Sequence, residues 1–320
     1  MLFPQEHELQ QAAERIAPYV RRTPLLFSAE LNTAVGLDLR FKPENLQHCG
    51  AFKFRGACNA VFGLDEATAK RGVTTHSSGN HAAALALAAQ MRGIDANIVM
   101  PDNAPEVKQR RVRNAGATIH HCVPTLQARE DGVARLVEEL GAHVVHPYND
   151  ARIICGQSTA LREALQDDNL FNHVIAPVGG GGLLSGTALS LRYSRRKALL
   201  WGAEPVGADD AQRSLRAGRI IPSVKPDTIA DGLLTSLGEL TWPIIQQQVD
   251  DIFTVDDTEI VRAMRLLWQY LNIIVEPSGA VPLAVALKQA EHLRGKRILM
   301  IISGGNVDLD TAFDLFRRFD

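Results

Sequence analysis

Lys53 lies in the heptapeptide Gly50-Ala51-Phe52-Lys53-Phe54-Arg55-Gly56, flanked by two phenylalanines and preceded by a glycine able to turn the chain. Residues 52–62 read as a helix, which places this lysine in the first turn, near the positive end of the helix dipole, where a cation is disfavoured. Desolvation would lower the amine's pKa further. A neutral amine can add to a carbonyl as a Schiff base and can later accept a proton, so Lys53 is the candidate nucleophile and base. Most lysines are solvated surface charges; the apolar neighbours argue for burial here.

Further motifs carry complementary chemistry. Gly179, Gly180, Gly181 and Gly182 follow an apolar run and precede a helix beginning near Leu183, so their backbone N–H groups and the helix N-terminus could converge on a phosphate. No register of this run spells the dinucleotide pattern G-x-G-x-x-G, and no P-loop lysine precedes Thr187. A nucleotide is thereby the weaker reading. Ser77, Ser78, Gly79, Asn80 and His81 offer hydroxyl, amide and backbone donors at the end of a strand, where open α/β sheets bind ligands. Ser78 could equally cap the helix that follows. Glu276-Pro277-Ser278-Gly279-Ala280 and Ser303-Gly304-Gly305-Asn306 complete the set.

In this order the motifs resemble the pyridoxal 5'-phosphate (PLP) enzymes of fold type II, the tryptophan synthase β family. The closest likeness is to the branch of serine racemase, serine/threonine dehydratase and hydroxyaspartate dehydratase. It extends from Arg22-Thr23-Pro24-Leu25 to Asn306-Val307-Asp308. The resemblance implies an α/β fold of two open, mostly parallel twisted sheets flanked by helices, with the active site in the cleft between domains. A large PLP-binding domain would comprise residues 1–71 and 150–320, and a small mobile domain residues 72–149. It implies that Lys53 carries the cofactor, with Phe52, Asn80, the glycine run, Leu183, Glu276 and Ser303 around it. Asn80 would meet the ring hydroxyl and Ser303 the pyridine nitrogen. A hydroxyl cannot hold that nitrogen protonated as a carboxylate would, which suits β-elimination and proton exchange better than transamination. Ser77, Ser78, Gly79, His81 and Thr235 are the implied substrate contacts, and Arg129 resembles an arginine that can reach a second substrate carboxylate. Glu204, the Ala208 carbonyl and Asp210 match a structural divalent-cation site, whose oxygen ligands suit Mg²⁺ or Ca²⁺.

The expected activity is a dehydratase (ammonia-lyase) acting on a β-hydroxy-α-amino acid. A serine or aspartate racemase using Lys53 and Ser78 as opposed bases is the first alternative. A non-catalytic PLP-binding protein is another. The chain departs from the family pattern at Cys49, Ala51, Tyr148, Ser158 and Asn272.

At 320 residues and 46% hydrophobic, the chain can bury a large core. Its formal net charge of −2 suggests neither nucleic acid nor a membrane surface as partner. The start lacks a signal-peptide pattern, and no apolar run nears the roughly 20 residues that span a bilayer. A cytoplasmic homodimer with a small-molecule substrate is expected, without a separate C-terminal regulatory domain. Cys49, Cys58, Cys122 and Cys155 form no C-x-x-C, and Cys49 reads as a bystander to Lys53. His76, His81, His120, His121, His143 and His146 show no metal-like helical pair and read as structural. Apolar runs at 73–76, 96–100, 117–123, 143–146, 173–178, 199–204 and 297–302 alternate with helical patterns at 82–91, 106–114, 127–140 and 257–271. That alternation predicts parallel sheet covered on both faces.

Overall fold

The computed structural model describes residues 3–168 and 170–319, without the side chain of Val107; the outer ends of the expected domain ranges, residues 1 and 320, lie outside them. The strands are β1 (Asp38–Pro43), β2 (Val73–His76), β3 (Ala96–Pro101), β4 (Thr118–Cys122), β5 (His143–Val144), β6 (His173–Pro177), β7 (Leu199–Pro205), β8 (Asp251–Val255) and β9 (Arg297–Ile302). They form two sheets, ordered β1-β9-β6-β7-β8 and β4-β3-β2-β5, and every pairing in both is parallel.

β9 shows why the large sheet reads as a continuous apolar run. Ile298, Met300 and Ile302 enter one core cluster while Leu299 and Ile301 enter the other, so successive side chains fill both covered faces. The edge strands β1 and β8 escaped the sequence reading. Each mixes buried with half-exposed residues and includes charges: β1 alternates over Asp38–Phe41 before the buried Lys42 and Pro43, and β8 buries only Ile252 and Val255. β5 is shorter than the expected strand at 143–146. Its ladder with β2 ends at Thr74 opposite Val144, followed by one further bond from Val145 N–H to the Thr74 carbonyl. Pro147 has no N–H to continue it.

Strand order locates the binding site. The chain leaves β2 for β3 on one side, while β5 lies on the other; β6 likewise leads to β7, with β9 opposite. Such reversals open a crevice at the strands' carboxyl ends. The segments emerging there are Ser77–His81 and 145–149 from the four-stranded sheet, and Gly179–Gly182 and Ser303–Asn306 from the five-stranded one. Among the described residues no helix is long and apolar enough to cross a membrane.

The helix Lys53–Phe62 is wedged into a third core, where Phe54, Ala57, Cys58 and Val61 pack with Ala82, Leu85, Ala89, Ile98, Met100 and Ile153. Arg55 on this helix is fully buried. It donates to Glu44 at 2.6 and 2.8 Å and to Glu163 at 2.8 Å through each terminal nitrogen. Buried Lys42 donates to Glu163 at 2.6 Å and to the Thr23 carbonyl at 2.7 Å. The cluster is balanced: two cations meet two carboxylates. Burial pushes the Glu163 carboxyl up, but hydrogen bonds and charge contacts with Arg55 and Lys42 outweigh it and hold the group below its usual range.

Because Glu44 is itself fully buried, Glu44→Gln leaves the Arg55 charge underpaired inside protein. The expected cost is about 3–5 kcal/mol, read as a lowered Tm of the holoprotein; an unchanged Tm would show that the charge is compensated elsewhere.

Candidate active site

A cavity of about 530 Å³ lies where these segments meet. Its wall includes every residue that the sequence singled out for cofactor or substrate, from Phe52 and Lys53 through Ser77–His81, Arg129, Gly179–Leu183, Thr235 and Glu276 to Ser303.

The turn before Lys53 is made by two successive left-handed residues, Cys49 (φ 58°) and Gly50 (φ 67°). A β-carbon on Gly50 would stand 2.6 Å from Asn306 Oδ1, so glycine is required both for φ and for space. Ala51 then bridges Gly304, and Phe52 N–H donates to the Ser303 carbonyl at 2.9 Å. Lys53 therefore begins its helix tied to the end of β9. Its side chain is partly open to the cavity, yet the amine is ringed by protein and donates to the Pro147 carbonyl at 2.8 Å. Burial lowers its pKa to about 8, with the charge of Glu276 opposing. Cys49 is a bystander, its thiol directed at the Ala83 carbonyl and pushed up by burial to about 11.

On the opposite side, Gly181 (φ 89°) precedes the helix Gly182–Ser194, whose first N–H groups have no partner within the helix. A β-carbon on Gly180 would lie 2.4 Å from the Tyr148 ring, and one on Gly179 would lie 3.0 Å from Leu233 Cα. The run is thus glycine because the backbone is closely covered, and it leaves donors facing the cavity. Ser303 Oγ is buried without a hydrogen-bond partner. Such an orphan, beside an amine of lowered pKa and an anion-binding helix start, fits an aromatic nitrogen, a carbonyl and a phosphate on one molecule. These residues suit PLP.

A polar chain lines the same cavity as Lys53 and Ser303. Asn80 Nδ2 donates to Glu276 at 2.9 and 3.2 Å, Asn306 N–H donates to Glu276 at 3.0 Å, and Asn306 Nδ2 donates to Asn80 Oδ1 at 2.8 Å. Burial raises the Glu276 carboxyl to about 7, against the Asn80 hydrogen bond. Ser78 lines the cavity and does not cap the following helix, whose N-cap is Gly79 with no side-chain bond. Buried His81 is tied through Nε2 to the Val145 carbonyl at 3.0 Å, and burial drives its pKa to about 3. Arg129 is half-buried, bonded to the Thr125 carbonyl at 3.3 Å. Tyr148 spans the floor, with its phenol facing Thr235.

Tyr148, a departure expected to reshape the substrate side of the pocket, does line the cavity, whereas the sequence reading missed His76, His146 and the Lys108–Asp231 pair (2.8 Å) as cavity walls. No spacing motif marks them. His76 and His146 become neighbours only through the β2–β5 register, which pairs Val73 with His143.

Glu204, next to last in β7, and Ala208 and Asp210 just beyond that strand lie outside this cavity. Glu204 is fully buried and accepts N–H bonds from Ala211 and Gln212 at 2.8 and 2.9 Å. Both Asp210 oxygens are buried without a hydrogen-bond partner; the Ser223 hydroxyl is near enough to ease the charge but not placed to bond. Burial raises the Glu204 carboxyl well above its normal range and Asp210 to about 6. No group of three metal-ligating side chains occurs among the described residues, so a cation here would need carbonyl and water ligands, as Ca²⁺ and Mg²⁺ accept.

The Lys53 geometry sets a pH dependence. The neutral amine fraction grows as pH rises through about 8, so the rate at which apoprotein captures PLP should increase about tenfold per pH unit below that value and level off above it. Stopped-flow absorbance checks this, and Lys53→Ala should abolish the covalent visible band. A rate flat between pH 6 and 8 would contradict the lowered pKa.

The sequence matches the family described as pyridoxal-phosphate dependent enzyme over residues 16–304. It is 50% identical to the beta-hydroxyaspartate dehydratase of Paracoccus denitrificans over 97% of this chain and 98% of that protein. Identity to the serine racemase of Arabidopsis thaliana is 46%, over 97% of this chain and 95% of that protein. The solved structure of maize serine racemase superposes with a TM-score of 0.95 at 44% identity, covering 99% of this chain and 98% of that one. With a motif order, two-sheet fold and cavity that agree with this match, the chain belongs to the pyridoxal-phosphate dependent enzymes of fold type II.

Proposed function

We propose that this protein is a β-hydroxy-amino-acid dehydratase whose preferred substrate is a 3-hydroxyaspartate, converted to a 2-oxo acid and ammonia. The observation carrying the reading is the placement of Arg129 in the wall of the Lys53 cavity. A guanidinium there can pair with a second carboxylate, which serine and threonine lack. The 50% identity to a beta-hydroxyaspartate dehydratase supports the same choice.

PLP, when bound, withdraws electrons from the substrate's Cα. The protein's part is positional. The Ser77–Gly79 loop would orient the α-carboxylate, and the glycine run would hold the phosphate at a helix N-terminus. Ser303, whose buried Oγ has no partner in the protein, would hold the pyridine nitrogen with a hydroxyl, which would make that nitrogen a weaker electron sink than a carboxylate partner would. Lys53, whose amine burial makes easier to deprotonate than an ordinary lysine, takes the Cα proton, and the β-hydroxyl departs with a proton as water. Proton exchange at Cα is the second reading: Ser78 faces the cavity and is not spent on capping, which leaves it available as an opposed base for racemisation. A non-catalytic PLP-binding role is less well supported, since Lys53, Asn80, the glycine run and Ser303 are all present and converge on the cavity.

Glu204 and Asp210, with the Ala208 carbonyl, are proposed to hold a structural Mg²⁺ or Ca²⁺. A small mobile domain of residues 72–149 and a cytoplasmic homodimer complete the reading, the last two on the resemblance of the motifs alone.

A coupled 2-oxo acid assay should give a higher kcat/KM for one 3-hydroxyaspartate isomer than for L-serine, and Arg129→Ala should narrow that ratio about tenfold or more. Threonine or phenylserine outperforming every hydroxyaspartate isomer would overturn the substrate assignment. For the cation, EDTA should lower Tm and added Mg²⁺ or Ca²⁺ restore it by preferential binding to the folded state. Asp210→Ala should remove that response; a Tm indifferent to EDTA and to both ions would leave the two acids without a metal role.

A further inference from the structure

His146 occupies the segment just beyond β5 and lines the cavity. Its Nδ1 accepts backbone N–H groups from Tyr148 at 3.3 Å and from Asn149 at 2.9 Å. An N–H donor can be met only by a lone pair, so Nδ1 carries no proton, and the neutral ring must carry its proton on Nε2. The ring is held edge-on to Tyr148, with centroids 4.6 Å apart at 90°. Among the described residues no protein group accepts from Nε2, nor is that atom among the buried polar atoms lacking a partner; it opens to the cavity. Burial first, then the nearby His76 and Lys53, lower the ring's pKa to about 4, which keeps it neutral near pH 7.

Its neighbours indicate what that N–H would meet. The β2–β5 ladder ends at Thr74 opposite Val144, and past that end His76 lies close enough for its charge to act on His146. His76 in turn feels the charge of Arg129, after burial the next cause of its lowered pKa. The wall thus runs from Arg129 past His76 and His146 to Lys53. A second carboxylate drawn in by Arg129 would need another donor, and an additional cation close to Lys53 would repel any protonated amine there. A neutral donor of fixed tautomer avoids that repulsion.

We propose that His146 is a specificity residue whose Nε2–H donates a hydrogen bond to the distal carboxylate of a dicarboxylic amino-acid substrate paired with Arg129. This rests on the hydroxyaspartate reading above and names a group that reading does not use. The test compares His146→Leu, which removes the donor, with His146→Gln, whose amide can present an N–H at the Nε2 position. In the holoenzyme, the ratio of kcat/KM for 3-hydroxyaspartate to that for L-serine should fall about tenfold in His146→Leu, chiefly through KM, and recover to within about threefold in His146→Gln, as loss and return of one charge-assisted hydrogen bond predicts. The PLP absorbance of each variant reports whether the site is assembled. An unchanged ratio in His146→Leu, or equal losses in both variants, would overturn the proposal. If the wild-type protein turns over L-serine but no hydroxyaspartate, the substrate reading fails on its own, and succinate inhibition then decides the role of His146: an inhibition constant equal in wild type and His146→Leu excludes it, whereas weaker inhibition restored by His146→Gln supports it.

Discussion

An amine kept partly neutral inside protein is the constraint around which the rest of this structure is arranged. Lys53 reaches about 8 because burial outweighs the attraction of Glu276, and burial at that point requires two things at once. The helix that carries the amine must be packed on its remaining faces, which Phe54, Ala57, Cys58 and Val61 achieve. Its first turn must also be pressed against the end of β9, which the left-handed Cys49–Gly50 turn and the Ala51–Gly304 bridge achieve. Loosening either would admit water and return the amine to its ordinary charge state.

The two parallel sheets meet that constraint by geometry. Each reverses its strand order once beside the cavity, at β2/β5 and at β6/β9, and each reversal leaves strand carboxyl ends free to present loops. One sheet contributes the glycine run and Ser303, which suit a rigid aromatic phosphate. The other contributes the Ser77–His81 loop, His146 and Arg129, which suit a variable amino acid. Lys53 lies between them, bonded to Pro147 of one set while its helix start is bonded to Ser303 of the other.

Two buried charge clusters show how neutrality decides their meaning. Around Arg55, two cations face two carboxylates with every terminal guanidinium nitrogen bonded, so the cluster closes within the protein. Around Glu204, the second buried carboxylate, Asp210, has no hydrogen-bonded partner for either oxygen. The first anchors the helix of Lys53; the second leaves buried acceptor oxygens unmet within the protein.

Much of the site was legible in the chain itself. The glycine run, the Lys53 turn and the serine-rich loop each obey local rules, since backbone approach, helix starts and strand-end loops are decided within a few residues. Strands buried on both faces, such as β6 and β9, were legible for the same reason: apolar runs need no partner to be recognised. The edge strands β1 and β8 were not, because their mixed pattern reflects position in a sheet assembled from segments distant in the chain, Asp38 pairing with Arg297 and Trp201 with Asp251. The tautomer of His146, its placement beside His76 and the covering of Gly180 by Tyr148 also lay beyond the sequence. Each depends on where separate segments come to rest against one another, and only the tertiary fold brings those atoms within hydrogen-bonding and van der Waals reach.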